Sequence, residues 1–270
     1  MANNQGKVYF IGGGPGDPEL LTIKAKNIIE SADIVIYADS LVHPSIMDYA
    51  SPDAEIYGSK KLNLEEILDL EIKAASEGKV VARVQSGDPS VYGAILEQMR
   101  VLRKNGIDFE IIPGVSAAFA ASALLQTELT VPGVSQSVIF TRLEGRVPMP
   151  PREQLKDLAS HGCTLLIFLS ITRMTKLVNE LIEAGYTEDT PVAVAYKVGW
   201  EEELVIRGNL SDIAKKVREA KITLSALVMI GAAFDPDILD MDDMESSFES
   251  SNLYSPEYTH LYRSAVTNSK

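Results

Sequence analysis

Residues 12–17 read Gly-Gly-Gly-Pro-Gly-Asp and follow directly on the apolar run Val8-Tyr9-Phe10-Ile11. Glycines after a strand let backbone come close to a ligand. The usual nucleotide fingerprints do not fit here. A G-x-G-x-x-G pattern begun at Gly12 or Gly14 needs glycine where Asp17 or Glu19 stands. A G-x-x-x-x-G-K-[ST] loop would have Asp17 or Pro18 in place of its second glycine. A helix starting near Pro18 would carry the Asp17 and Glu19 carboxylates at its positive end, which favours the helix and repels a bound anion. The turn therefore suits a ligand that is not held by phosphate. Two further turns follow: Ser86-Gly87-Asp88-Pro89-Ser90-Val91-Tyr92-Gly93 after the run Val80–Val84, and Pro113-Gly114-Val115-Ser116-Ala117 after Phe109–Ile112. Each alone is ordinary turn chemistry. Three in order, each at the carboxyl end of a strand, fall where open α/β sheets take ligands.

Other reactive residue types lack partners. His43, His161 and His260 have no second ligand at helical or finger spacing, so no metal site is assigned. Cys163 precedes an apolar strand and reads as a packing residue. Ser116 has no histidine and acid in a hydrolase context, which excludes a nucleophilic triad. Trp200, beside Glu201-Glu202-Glu203, reads as a loop anchor.

The elements that must position the turns are short β-branched runs alternating with helical patterns. Strands are expected at Val8–Ile11, Ile34–Tyr37, Val80–Val84 and Phe109–Ile112, with helices at Leu20–Ile29, Leu64–Ser76 and Tyr92–Arg103. Such alternation predicts a mainly parallel first sheet with right-handed crossovers. Asn63 with Glu66 three residues on is a helix-start pair. After Pro113-Gly114 comes an alanine-rich helix, Ser116 to Leu125. Strands are then expected at Ser137–Thr141, Thr164–Leu169, Val192–Tyr196, Leu204–Arg207 and Ala226–Ile230, with helices at Glu153–Ala159, Met174–Ala184 and Leu210–Ala220. Leu204 follows Tyr196 too closely for a helical crossover, so the second sheet should be mixed. The expected class is thus α/β, with one α/β domain over 1–113, a second over 114–234, and an acidic tail over 235–270 that is partly disordered or laid over a neighbour.

Composition narrows the function. The 270 residues carry a formal net charge of -13, which argues against nucleic acid as a partner. A single cysteine fits a reducing compartment such as the cytoplasm. The first residues are polar, with no secretory pattern, and no apolar run approaches the ~20 residues of a membrane span.

Taken in order, the motifs resemble a known family. Gly12-Gly13-Gly14-Pro15-Gly16-Asp17 with Leu20-Leu21-Thr22, then Tyr37-Ala38-Asp39-Ser40-Leu41-Val42, then Gly87-Asp88-Pro89 with Val91-Tyr92-Gly93, then Pro113-Gly114-Val115-Ser116 are similar to the tetrapyrrole methyltransferases, over about residues 7 to 234. Thr141-Arg142-Leu143-Glu144-Gly145-Arg146-Val147-Pro148-Met149-Pro150 resembles the precorrin-4 C11-methyltransferase branch, with Val147 where that branch has threonine. Ala94–Met99 and Thr127–Pro132 resemble it too. The resemblance implies two α/β domains, a homodimer, S-adenosylmethionine as cofactor, and precorrin-4 or its cobalt form as substrate. It implies a cofactor shell of Pro15, Gly87, Asp88, Pro89, Tyr92, Ser116, Ala117, Leu169 and Val198. Asp39, after a strand, is the candidate catalytic base, against a plain reading as a turn aspartate. Gly58-Ser59-Lys60-Lys61 does not line up with a lysine partner for it, so none is assigned. Arg142 and Arg146 are the candidate substrate clamp for ring carboxylates, against a reading in which they pair with Glu144 and Asp39. Other tetrapyrrole carbons as methyl acceptors, and a non-catalytic cofactor-binding sensor, are the alternatives.

Overall fold

In the computed structural model, which describes residues 6–239 and 255–265, the strand runs of the first half pair side by side. β1 (Lys7–Gly12), β2 (Ile34–Tyr37), β3 (Glu55–Gly58), β4 (Val80–Gln85) and β5 (Asp108–Ile112) form one sheet in the order β3-β2-β4-β1-β5. Every neighbouring pair in it is parallel. Alternation along the strands gives each face its own core. Val8, Phe10, Ile34, Ile36 and Val81 pack with Leu68, Ile95 and Leu102. Ile11, Val35, Ala82 and Val84 pack with Ala25 and Ile29 on the other face. A parallel sheet covered on both faces needs such near-continuous apolar strands.

The helices start where local chemistry allows. α1 (Ile23–Ser31) begins later than its apolar spacing suggests. Residues Pro18–Leu20 form a separate 3-10 turn capped by Asp17, and Thr22 then accepts from the Ala25 amide to start the helix. α2 (Leu64–Ser76) opens on the expected reciprocal pair, with Glu66 N donating to Asn63 at 3.0 Å and Asn63 N to Glu66 at 2.8 Å. α3 (Ile95–Lys104) starts after Tyr92 and Ala94, whose φ values of 57° and 50° cannot continue a right-handed helix. β3 was not anticipated: it is a largely exposed edge strand without an apolar run. α4 (Ala117–Leu124) is the alanine-rich helix.

The second sheet comprises β6 (Val138–Arg142), β7 (Thr164–Phe168), β8 (Pro191–Tyr196), β9 (Leu204–Asn209) and β10 (Ala226–Ile230), ordered β6-β7-β10-β8-β9. β6 and β7 are parallel and β10 is antiparallel to both β7 and β8, so the sheet is mixed as expected. Leu165, Ile167, Val192, Val194, Val228 and Ile230 pack with α5 (Leu155–Ala159), α6 (Met174–Glu183) and α7 (Ile213–Glu219) through Leu155, Leu177, Leu181 and Ile213.

The chain forms two compact units, divided elsewhere than at 113/114. The first takes in residues up to Leu124, so it keeps α4, and also Lys197–Leu204 from the β8–β9 connection. α4 stays with the first sheet because the turn leading into it is locked to the turns after β1 and β4. Part of the expected tail, 240–254 and 266–270, lies outside the described residues. Among the described residues no helix is long and apolar enough to cross a membrane.

Candidate functional site

Parallel pairing of β4, β1 and β5 brings their carboxyl ends, and hence the three glycine turns, together. The Gly13 amide donates to Gln85 O at 2.7 Å, and the Gly87 amide to Gly14 O at 2.7 Å. A Cβ on Gly12 would lie 2.5 Å from Gly114 Cα and 2.6 Å from Gly87 O. Glycine is required there so that the three backbones can touch. Asp88 fastens the second turn to the third: its carboxylate accepts from the Gly114 amide at 2.9 Å, from the Ser90 amide at 2.8 Å and from the Ser90 hydroxyl. Partial burial pushes its carboxyl up, but the bonds from Ser90 and Gly114 outweigh this and hold it below the usual value.

Behind Gly87, at φ +64°, the nearest atoms to an added Cβ are Ser116 Cα at 3.6 Å and Ala117 N at 3.8 Å. The Ser116 hydroxyl accepts from the Ala118 amide at the start of α4, which gives it a capping role. Tyr92 and Ala94 hold left-handed backbone on either side of Gly93, which has Pro89 O against the place of its missing side chain. Non-glycine residues in that region store strain of order 1–3 kcal/mol each, of the kind concentrated at ligand sites.

A fourth segment joins them. Val198 is buried, and the Trp200 indole N–H donates to Pro15 O at 3.2 Å. The anchor reading of Trp200 thus has a concrete target, which nothing local in the sequence could name.

Asp39 follows β2, and it has a lysine partner after all. Lys60 Nζ lies 3.0 Å from its Oδ2, and the Lys60 amide donates to Oδ1 at 2.8 Å. The alignment that failed by sequence depends on β3, whose register sets Gly58 beside Tyr37 and so Lys60 beside Asp39. A Cβ on Gly58 would come 2.7 Å from Asp39 Cγ, so glycine there gives the carboxylate its seat. Burial pushes the Asp39 carboxyl up, and the Lys60 amide and ammonium more than reverse that.

Leu169, Arg142 and Arg146 belong to the second unit. Leu169 follows β7 with φ +54° and is 72% exposed. Arg142 ends β6 and turns its guanidinium onto its own loop, donating to Val147 O at 3.0 Å and Pro148 O at 2.9 Å. These hydrogen bonds go to main-chain carbonyls rather than to the carboxylates of Glu144 or Asp39. Arg173, missed in the sequence, braces the same loop by donating to Glu144 O at 2.7 Å. Arg146 is exposed at the loop's tip. Among the described residues no three His, Cys, Asp or Glu side chains gather as a metal site requires.

Comparison with known proteins agrees with this layout. Residues 7–214 match the family model of the Tetrapyrrole (Corrin/Porphyrin) Methylases. A cobalt-precorrin-4 C(11)-methyltransferase of Methanocaldococcus jannaschii is 51% identical over 263 residues, 97% of this chain and 98% of the relative. The X-ray structure of a cobalt precorrin-4 methyltransferase superposes with a TM-score of 0.83 at 46% identity, over 85% of this chain and 96% of that one. A uroporphyrin-III C-methyltransferase from Thermus thermophilus, solved with S-adenosyl homocysteine, has a TM-score of 0.69 at 29% identity, over 84% and 98%. With three turns meeting through glycine at the ends of parallel strands, and with likeness from end to end, the chain belongs to the tetrapyrrole (corrin/porphyrin) methylases.

Proposed function

We propose that this chain transfers a methyl group from S-adenosylmethionine to C11 of cobalt-precorrin-4, a ring-contracted tetrapyrrole on the route to the corrin ring. The observation that carries the reading is the full-length likeness to the Methanocaldococcus enzyme. The first unit fits the cofactor. Its turns offer backbone and small residues at Gly87, Ser116 and Ala117, and carboxylates at Asp17 and Glu19 that disfavour a phosphate. Pro15, Gly87, Pro89, Tyr92, Ser116, Ala117, Val198 and Leu169 are the proposed cofactor shell, with Asp88 holding its turns in place. When bound, S-adenosylmethionine supplies a methyl group on a sulfonium, which departs as a neutral thioether.

The chain's own task is alignment, a source of up to ~7–11 kcal/mol in favourable cases. Asp39 is the proposed proton acceptor, and Lys60 keeps it ionised. Arg142 has two of its N–H groups on loop carbonyls; its remaining donors, with those of Arg146, are the proposed contacts for the ring carboxylates. We further propose a homodimer, as the family resemblance implies, working in the cytoplasm, where a single cysteine stays reduced. The exposed side chains of Ile23, Leu96 and Phe119 are compatible with an interface.

The test is to incubate the protein with methyl-13C S-adenosylmethionine and either cobalt-precorrin-4 or metal-free precorrin-4, and to locate the label by NMR. Label at C11, with the cobalt form preferred, is expected. Label on another ring carbon, or cofactor binding without transfer, overturns the proposal. A preference for the metal-free substrate would reassign the metal state alone.

A further inference from the structure

We propose that the segment Lys197–Leu204 is a latch on the turn Gly12–Asp17, and that Trp200 is a positioning residue for cofactor affinity; this rests on the cofactor placement proposed above. Glycines give such a turn many accessible backbone states. Its Gly12–Gly14 half is held by Gln85 and Gly87, and the latch constrains the Pro15–Asp17 half. The Trp200 indole N–H donates to Pro15 O at 3.2 Å. A Cβ on Gly16 would lie 2.6 Å from Val198 O and 2.7 Å from Trp200 Nε1, so latch and turn are in direct contact. Gly199, at φ +79°, brings its Cα over Asp17, where an added Cβ would meet the Asp17 amide nitrogen at 2.5 Å.

The indole is itself held from several sides. Lys197 Nζ stands 4.9 Å from the ring centroid and pairs with Glu202 at 2.6 Å. The His43 ring meets the indole edge-on, with centroids 4.7 Å apart. The Gly199 amide donates to Glu203 at 2.7 Å, and Lys197 takes a left-handed φ of 46°. A loop this constrained, aimed at one carbonyl of a glycine turn, fixes which way the peptide after Pro15 faces. That preorganises the turn, and ordering that is already present need not be supplied by the ligand. Val198, in the proposed cofactor shell, lies on the same segment, so the latch acts where the ligand would sit.

The test measures the dissociation constant of S-adenosylhomocysteine by calorimetry on the full chain and on Trp200→Phe, which keeps a ring but removes the donor. The loss of one hydrogen bond predicts a Kd raised about fivefold. Cofactor KM should rise by the same factor, while the tetrapyrrole KM stays where it was. A fall in melting temperature with unchanged affinity would mean a structural role alone and overturns the latch. Gly16→Ala attacks the same contact from the other side and should also weaken binding; a wild-type Kd in that variant overturns the proposal should Trp200→Phe not fold. Trp200 is the chain's single tryptophan, so its emission should shift as S-adenosylhomocysteine saturates the wild type. Wild type that binds no S-adenosylhomocysteine removes the proposed cofactor site and the latch with it. Binding in wild type with equal binding in both variants removes the latch alone.

Discussion

Asp39 shows how little a residue's type says about its charge without its neighbour. Left to burial, its carboxyl would rise; the Lys60 amide and ammonium bring it below the ordinary value. The sign of the pH effect follows. A depressed carboxyl adds stability above its unfolded pKa and loses it as pH falls through the folded one. Lys60→Met should therefore lower stability at neutral pH more than in acid. It should also move the acid limb of the rate profile to higher pH, because an unpaired, part-buried carboxyl protonates sooner. Denaturation at both pH values and kcat/KM across pH check this. Asp39→Asn, which cannot accept a proton, should cut kcat by ~10²–10⁴-fold with cofactor affinity unchanged; a mild loss would return Asp39 to the role of a turn residue. Asp39 itself was legible, since it follows an obvious strand. Lys60 was not, because the partner strand β3 is short, exposed and without an apolar run.

Among elements, the decisive group is β4-β1-β5 with its three turns. Gly12→Ala would force Gly114 and Gly87 away from contacts of 2.5 and 2.6 Å that backbone cannot relax. We expect it to separate the turns, abolish S-adenosylhomocysteine binding and lower the melting temperature sharply. Gly106→Ala is the control: at φ +70° it is strained, yet an added Cβ meets nothing within 4 Å. It should cost only ~1–2 kcal/mol and leave binding intact. Equal effects of the two, measured by melting and calorimetry, would refute the crowding argument. These turns were readable because glycine and proline act locally. The start of α3 was not, because periodicity carries no sign of the left-handed Tyr92 and Ala94.

Across the whole molecule, the chain enters the second unit after Leu124, returns to the first at Lys197 and leaves it again after Leu204. A cut after Leu124 therefore does not release a complete first unit. A fragment of residues 1–124 should keep amide protection in β1, β4 and β5 but exchange at least ~10-fold faster in the Gly12–Asp17 turn than the full chain does. Hydrogen exchange checks this, and equal protection would show that the turn holds itself. By itself the sequence determined the strand and helix order apart from β3, the parallel first sheet and mixed second one, and the three glycine turns, since apolar period and turn residues are written locally; its motifs carried the resemblance to the family. Tertiary structure decided the Asp39–Lys60 pair, the bracing of the Arg142 loop by Arg173, and the return of Trp200 to Pro15. It also decided the burial of Glu71 beside Arg83 at 4.0 Å, where burial pushes the acid up to about 7 against the pull of the arginine. Each of these joins residues remote in the chain, and such contacts follow from strand register and packing rather than from any local pattern.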